Sequence, residues 1–121
     1  MPSRSYRNNN PGNLRWGGFT ERRGAVPEGP KNNLMAKWET PIQGLAAMID
    51  LLAIKSYRAL TLLDMVKRYA PSADNNRPME YAGYVATRAG VGMDFILGEM
   101  SPYQILMVVE AMIRFEGWNP P

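Results

Sequence analysis

The order of polar and apolar positions changes near residue 40. Residues 1–40 are rich in Asn, Gly, Pro and Arg, and they contain Asn-Pro-Gly-Asn, Trp-Gly-Gly and Pro-Glu-Gly-Pro. These sequences favour tight turns and disfavour a long helix. The few apolar residues of this segment predict one short β-hairpin between residues 14–19 and 34–38.

The sequence after residue 40 has the spacing that is typical of helices. Thr40-Pro41-Ile42-Gln43 offers a hydroxyl at the N-cap, Pro at the first helical position and an amide at the third. This pattern predicts a helix that runs to about residue 57. Apolar residues cover most of its circumference, so we expect this helix in the middle of a core.

Three further helices follow along the chain. Thr61 begins one that ends near Tyr69, and Asn76 or Arg77 begins another that ends near Arg88, before a glycine cap at Gly90. The last helix begins with a second hydroxyl-Pro-x-amide cap at residues 101–104 and runs to about residue 116. The segment between the last two helices, residues 92–100, is predicted to be a loop or a single turn.

A chain of 121 residues is long enough for one domain. We predict a mostly α-helical domain over residues 1–121, with a loop-rich segment over 1–40 and a helical core over 41–117. No apolar run approaches the roughly 20 residues that span a bilayer, and the chain begins without an apolar signal segment. We therefore expect no membrane span and no secretory signal peptide.

Two amino acids are missing from the composition, and their absence restricts the chemistry. The chain has no Cys and no His. Disulfides, thiolate or imidazole metal sites, Cys nucleophiles and Ser-His-Asp triads are therefore excluded. The residues give no reason to expect a metal or a cofactor. If the protein is an enzyme, its proton-transferring group is a carboxyl, Lys or Tyr side chain.

The formal net charge of +3 is concentrated at the start of the chain. Residues 1–23 contain five arginines and one glutamate, whereas the remainder is slightly acidic. Such a basic segment could bind a polyanion or could be a solvated arm. Nucleic acid ranks last as a partner, because the arginines stand among turn-forming residues without a recognisable binding motif.

One acidic residue falls on the apolar side of the last predicted helix. Residues three and four apart lie on the same helical face, and Glu116 projects between Ile105 and Val109, whereas Glu110 lies on the polar side. Apolar neighbours and the negative end of the helix dipole both favour a protonated carboxyl group. Such a group can protonate a leaving oxygen, as a glycosidase requires. Fraying of the helix or an ion pair with an arginine is the structural alternative.

Two polar clusters are candidate binding sites. The first surrounds a Pro-Gly turn, and its amides and indole suit an N-acetylated sugar: Asn9, Asn10, Asn13, Arg15 and Trp16. The second precedes and opens the third helix: Asp74, Asn75, Asn76 and Tyr81. Turn formation explains the first cluster equally well, and helix capping and core packing explain the second.

These residues together resemble a phage-associated family of lysozyme-like proteins. The resemblance rests on Arg-Asn-Asn-Asn-Pro-Gly-Asn-Leu-Arg, Thr-Pro-x-x-Gly-Leu, Ala-Pro-Ser-x-Asp-Asn-Asn, Gly-Val-Gly and the final Ile-Arg-Phe-Glu-Gly. It covers about residues 6–119. Members are virion-associated proteins that degrade peptidoglycan, with a small helical domain and a catalytic glutamate at the end of a buried helix.

The resemblance implies a role for Glu116 and an unusual order of elements. In related lytic transglycosylases the glutamate helix precedes the asparagine turn, so this chain resembles a circularly permuted version. The turn would then lie beside Glu116 in space. The implied activity is cleavage between N-acetylmuramic acid and N-acetylglucosamine, of the lytic transglycosylase or muramidase type. Glu39 and Asp74 are the candidates for a second carboxylate.

The resemblance leaves three alternatives open. One related lysin cuts the peptide part of peptidoglycan, so the fold does not determine which bond is cleaved. A virion structural protein or a wall-binding module could retain the fold without catalysis. Peptidoglycan glycan strands are the expected partner, with other virion proteins as a further candidate. We expect synthesis in the host bacterial cytoplasm, followed by incorporation in a virion or release to the cell wall.

Overall fold

The computed structural model describes residues 2–70 and 77–118 of the chain. Within these residues the fold is mostly helical, with one small antiparallel sheet of two strands, as predicted. The chain divides into two compact units, Met1–Asp50 with Glu116–Pro121, and Leu51–Phe115. The last helix and Glu116 belong to different units. The single domain stays a prediction.

The first unit contains short elements joined by turns. They are α1 (Arg4–Arg7), α2 (Gly18–Glu21), β1 (Val26–Glu28), β2 (Met35–Lys37) and the larger part of α3 (Pro41–Ala53). Strands β1 and β2 pair antiparallel, with Val26 opposite Lys37 and Glu28 opposite Met35. Buried apolar side chains fill the space between these elements: Leu14, Ala25, Met35, Ala36, Trp38, Ala47 and Met48.

The predicted hairpin is only partly correct. Residue 15 forms a single antiparallel bridge with Met35, and the N–H of Trp16 donates to the Leu34 carbonyl at 3.2 Å. The main partner of β2 is β1, and residues 18–21 form a helical turn. The Thr20 hydroxyl accepts from the Gly17 N–H at 3.0 Å, and this local bond stabilises the helical turn.

Helix α3 begins as predicted but ends earlier and is less buried than predicted. The Thr40 N–H donates to Gln43 Oε1 at 3.1 Å, and the Gln43 N–H donates to Thr40 Oγ1 at 3.4 Å. The helix ends at Ala53 because Ile54 is extended, with φ −71° and ψ 151°. The expected central position is wrong: Ile42 is 72% exposed, whereas Met48 is fully buried. Apolar content alone therefore does not determine burial.

The second unit is built mainly from helices. They are α4 (Lys55–Arg58), α5 (Leu62–Tyr69), α6 (Pro78–Ala89) and α7 (Pro102–Phe115), with a 3₁₀ turn at Leu97–Glu99. The predicted caps are confirmed. Thr61 Oγ1 accepts from the Asp64 N–H at 3.1 Å, Ser101 Oγ accepts from the Gln104 N–H at 3.1 Å, and Gly90 is left-handed with φ 70°. The predicted cap Asn76 lies outside the described residues, and Arg77 occupies the N-cap of α6.

Packing in the second unit is apolar. Helices α6 and α7 run antiparallel, because Tyr81 stacks on Phe115 near one end and Arg88 approaches Glu110 toward the other. The fully buried side chains of this unit include Leu62, Met65, Val66, Tyr81, Val85, Val108 and Met112. Among the helices within residues 2–70 and 77–118, none combines the length and apolar character needed to cross a bilayer.

Candidate active site

The asparagine-rich turn follows α1 and is held by its own side chains. The buried Asn10 donates to the Leu14 carbonyl and to the Ala36 carbonyl, both at 2.9 Å. Its Oδ1 accepts from the Leu14 N–H at 2.8 Å. Both amide N–H groups and the oxygen of Asn10 are therefore used within the fold. These bonds give Asn10 a structural role, and its role as a sugar ligand stays a prediction.

Asn9 also holds the turn in place. Its side-chain amide donates to the Trp38 carbonyl at 2.9 Å and to the Glu39 carbonyl at 3.0 Å. Its backbone is left-handed, with φ 53°, a conformation that Asn tolerates better than most residues. Gly44 of α3 allows the close approach, since a Cβ there would collide with the Asn9 carbonyl oxygen. The Asn9 side-chain amide therefore already donates to two carbonyls of the fold, which gives Asn9 a structural role.

Asn13 differs from the other asparagines of the turn. It is half-buried and left-handed, with φ 53°. Its Nδ2 donates to Glu116 Oε1 at 3.4 Å, across 103 positions of sequence. Its Oδ1 is buried and has no hydrogen-bond partner among the described residues. The Nδ2 atom of Asn13 thus orients the Glu116 carboxylate, and its Oδ1 atom can accept a hydrogen bond from another group.

Glu116 is the first residue after α7 and is half-buried. The helix ends here, close to the predicted end, because Gly117 is left-handed with φ 90°. The Ser5 hydroxyl donates to the Glu116 carbonyl at 3.5 Å. Nearby, the ring of Trp118 contacts that of Tyr6 edge to face, with centroids 5.2 Å apart. Contacts of Glu116 and Trp118 with α1 therefore fix the backbone that carries the Glu116 carboxylate.

The remaining candidates of the turn lie at the start of the bridge to β2. Arg15 is exposed, and Trp16 is half-buried. The indole Nε1 of Trp16 is buried without a hydrogen-bond partner among the described residues. Buried indole N–H groups usually have a partner, so this donor and Asn13 Oδ1 are two polar atoms of the turn that the described contacts leave unsatisfied.

The other predicted site residues are Tyr81, Glu39 and the Asp74-Asn75-Asn76 segment. Tyr81 is fully buried in the second unit, where its ring stacks on Phe115 at a centroid distance of 4.1 Å. The ring therefore belongs to the core, and the expected role of Tyr81 in binding stays a prediction. Glu39 is exposed, and Asp74, Asn75 and Asn76 lie outside the described residues. Within the described parts, no group of three or more carboxylates could hold a metal ion.

A polar network joins α1 and the start of the turn to β1, and no sequence pattern indicated it. Arg4 Nε donates to Glu28 Oε1 at 2.6 Å, and its NH2 group donates to the Asn33 carbonyl at 2.8 Å. The buried Asn8 donates to the same Glu28 oxygen at 2.9 Å. The hydrogen bonds from Asn8 and then Arg4 lower the pKa of Glu28 below its ordinary value of 4.5. No sequence motif relates these residues, because their pairing depends on the fold.

Comparisons with known proteins add no family assignment. No protein-family model and no curated protein matches this sequence. The geometry of the site brings Asn13 of the turn and the half-buried Glu116 carboxylate together.

Proposed function

We propose that this protein degrades bacterial peptidoglycan, with Glu116 as the proton donor for cleavage between N-acetylmuramic acid and N-acetylglucosamine. The contact of Asn13 Nδ2 with Glu116 Oε1 carries the proposal. The family resemblance leads us to expect the asparagine turn beside this carboxylate, although the two are far apart in sequence. A lysozyme-like, circularly permuted fold is part of the same proposal.

In the proposed reaction, protonated Glu116 transfers its proton to the glycosidic oxygen as the bond from that oxygen to C1 of the muramic acid breaks. The N–H of Asn13 stabilises the carboxylate that this transfer creates, because hydrogen bonds to charged groups are stronger than neutral ones. The carboxylate then removes a proton from the nucleophile that attacks C1. The muramyl 6-hydroxyl gives a 1,6-anhydro product, and water gives a reducing end.

The proposed binding residues of the turn are Asn13, Trp16 and Arg15. Asn13 Oδ1 can accept from a sugar hydroxyl or acetamido N–H, and the half-buried indole of Trp16 suits packing against a sugar ring. Arg15, exposed beside them in sequence, remains a candidate ligand. If Glu39 or Asp74 serves as a second carboxylate, a separation of about 5–5.5 Å from Glu116 implies retention and about 6.5–9.5 Å implies inversion.

The variant Glu116→Gln tests the proposal on purified peptidoglycan. We expect the rate of wall clearing to fall by at least about 100-fold, because the amide cannot supply the proton. Binding to the same walls, measured by co-sedimentation, should stay within about twofold, since an amide has nearly the shape of the acid. Glu21→Gln is the matched control, because Glu21 is an exposed glutamate of the same unit.

Three outcomes would contradict the proposal. Clearing by Glu116→Gln at the wild-type rate would exclude Glu116 as the proton donor. Binding without clearing by both wild type and variant would favour a non-catalytic virion or wall-binding protein. Equal loss in Glu21→Gln and Glu116→Gln would also argue against a specific role for Glu116.

A further inference from the structure

The second unit has an open depression beside its shortest helix. The depression has a volume of about 540 Å³ and lies against α4 and the 3₁₀ turn. Its lining consists of two cationic residues and three small ones: Lys55, Arg58, Ala53, Ala59 and Gly98. Ligand sites in proteins typically measure about 300–1,000 Å³, so this one has room for a small molecule or one unit of a polymer.

Local backbone geometry produces this depression. The extended Ile54 ends α3 and begins α4, which places Lys55 and Arg58 three residues apart on one helical face. Gly98 packs closely against α4, since a Cβ there would lie 3.0 Å from the Arg58 carbonyl oxygen. The small side chains of Ala53 and Ala59 leave the space between these cations open.

The two cations of the depression are not neutralised by neighbouring carboxylates. Within the described residues, neither Lys55 nor Arg58 forms an ion pair. Arg58 uses one NH2 donor on the Gly98 carbonyl at 3.5 Å, and a guanidinium group has five N–H donors. Most of its donors are therefore available to a ligand.

A third cation lies against the same helix. The NH1 group of Arg68 donates to the Ser56 carbonyl at 3.3 Å, and its guanidinium lies 5.6 Å from the Tyr57 ring centroid. Of the acids nearest to α4 in sequence, Asp50 pairs with Arg23 at 3.3 Å and Asp64 is exposed. Glu99, next to Gly98, is also exposed, and among the described residues neither Asp64 nor Glu99 forms an ion pair. The surface around α4 is therefore positive, although the chain after residue 23 is slightly acidic as a whole.

We propose that this α4 depression binds the phosphate group of a phosphorylated ligand. A guanidinium and an ammonium on one helical face together match a doubly charged oxyanion, and the guanidinium fork suits phosphate oxygens. The volume exceeds what a bare phosphate fills, so the carbon chain that carries the phosphate contacts Ala53 and Ala59. The site is independent of Glu116 and of the proposed peptidoglycan cleavage.

Heteronuclear NMR of the full chain tests this site with inorganic phosphate as the probe, at constant ionic strength set by chloride. We expect saturable shifts of the amides of Lys55, Arg58 and Gly98, with a Kd of about 1 mM. The double variant Lys55→Gln/Arg58→Gln should weaken the affinity at least about tenfold. Lys31→Gln/Lys37→Gln, at two exposed lysines of the first unit, is the charge-matched control and should change the affinity less than about twofold.

Two further probes identify the source of the phosphate. Tighter binding of glycerol phosphate than of dimethyl phosphate indicates a phosphomonoester, and the reverse indicates a phosphodiester polymer. Shifts that do not saturate, equal shifts with chloride, or an unchanged affinity of the double variant would overturn the proposal. Unchanged spectra of the double variant away from α4 show that it folds, so a loss of binding can be attributed to the site.

Discussion

The two units of the chain are held together by different interactions. All four buried polar residues in the described parts of the chain belong to the first unit: Ser5, Asn8, Asn10 and Thr20. Their side chains bind backbone carbonyls, backbone N–H groups or the Glu28 carboxylate. In the second unit, the buried residues within the described parts are apolar or aromatic and lie mainly on α5, α6 and α7.

This difference follows from composition. The first forty residues are rich in Asn, Gly and Pro, and they supply few large apolar side chains. Turns leave backbone groups without the partners that a long helix or a wide sheet provides, so side chains must satisfy them. The second unit satisfies its backbone inside helices and gains stability by burying apolar area. A candidate catalytic turn is therefore held rigid by hydrogen bonds rather than by a large core.

The largest expected loss of stability comes from the apolar unit. Leu62→Ala removes a fully buried side chain at the start of α5. We expect the free energy of unfolding to fall by about 3–4 kcal/mol, because lost transfer energy and a cavity add. Urea denaturation measures this change. Leu106→Ala is the control, since Leu106 is 58% exposed, and it should change the stability by less than about 0.5 kcal/mol.

A somewhat smaller loss is expected from the polar unit. Asn10→Ala removes three hydrogen bonds and leaves the Leu14 N–H, the Leu14 carbonyl and the Ala36 carbonyl without this partner. We expect a cost of about 2–3 kcal/mol in urea denaturation, at roughly 1 kcal/mol for each bond. Asn32→Ala changes an exposed asparagine of the same unit and serves as the control. Equal effects of the two substitutions would show that the polar network does not hold this unit.

The smallest effect is a dependence on pH through Glu28. The folded pKa of Glu28 lies below its ordinary value of 4.5, chiefly because Asn8 and Arg4 donate to the carboxylate. Its contribution to stability is therefore complete above that value and is lost as the pH falls through the folded pKa. We expect wild type to lose more stability than Glu28→Gln as the pH falls from neutral to below the folded pKa of Glu28, because protonation weakens the hydrogen bonds from Asn8 and Arg4.

Urea denaturation at a series of pH values measures this difference. Asp50→Asn is the control, because Asp50 is an exposed acid of the same unit and forms only a surface ion pair with Arg23. Parallel stability curves for wild type and Glu28→Gln would show that the Arg4–Glu28–Asn8 network does not stabilise the first unit.

Local signals in the sequence predicted the helices well. The caps at Thr40, Thr61 and Ser101 and the glycine at Gly90 act on residues at most four positions away, so a short stretch of sequence contains the information. The end of α3 at Ala53 was missed, since neither Gly nor Pro marks the break at Ile54. Local sequence also gave no reason to expect that Ile42 is exposed.

Non-local pairing was harder to predict. The sequence indicated that residues 34–38 form a strand, but its main partner is Val26–Glu28 rather than residues 14–19. Strand pairing depends on which segments of the chain meet in space. The three residues of β1 also show no clear alternation of apolar positions. The helix of residues 18–21 forms instead through local bonds of Thr20.

Contacts between residues far apart in sequence were equally hard to predict at the candidate site. The residue types of the turn identified it as chemically unusual, but they did not distinguish Asn9 and Asn10, which hold the fold, from Asn13, which contacts Glu116. That distinction depends on which carbonyls lie within reach after folding. The prediction that the turn lies beside Glu116 came from the family resemblance, and the Asn13 contact agrees with it.

Mass spectrometry of the fragments released from purified peptidoglycan tests whether Glu116 drives glycan cleavage. We expect new anhydro-muramic or reducing muramic ends in the wild-type digest and none in the Glu116→Gln digest. New amino groups from cut peptides, with the glycan strands intact, would contradict glycan cleavage by Glu116.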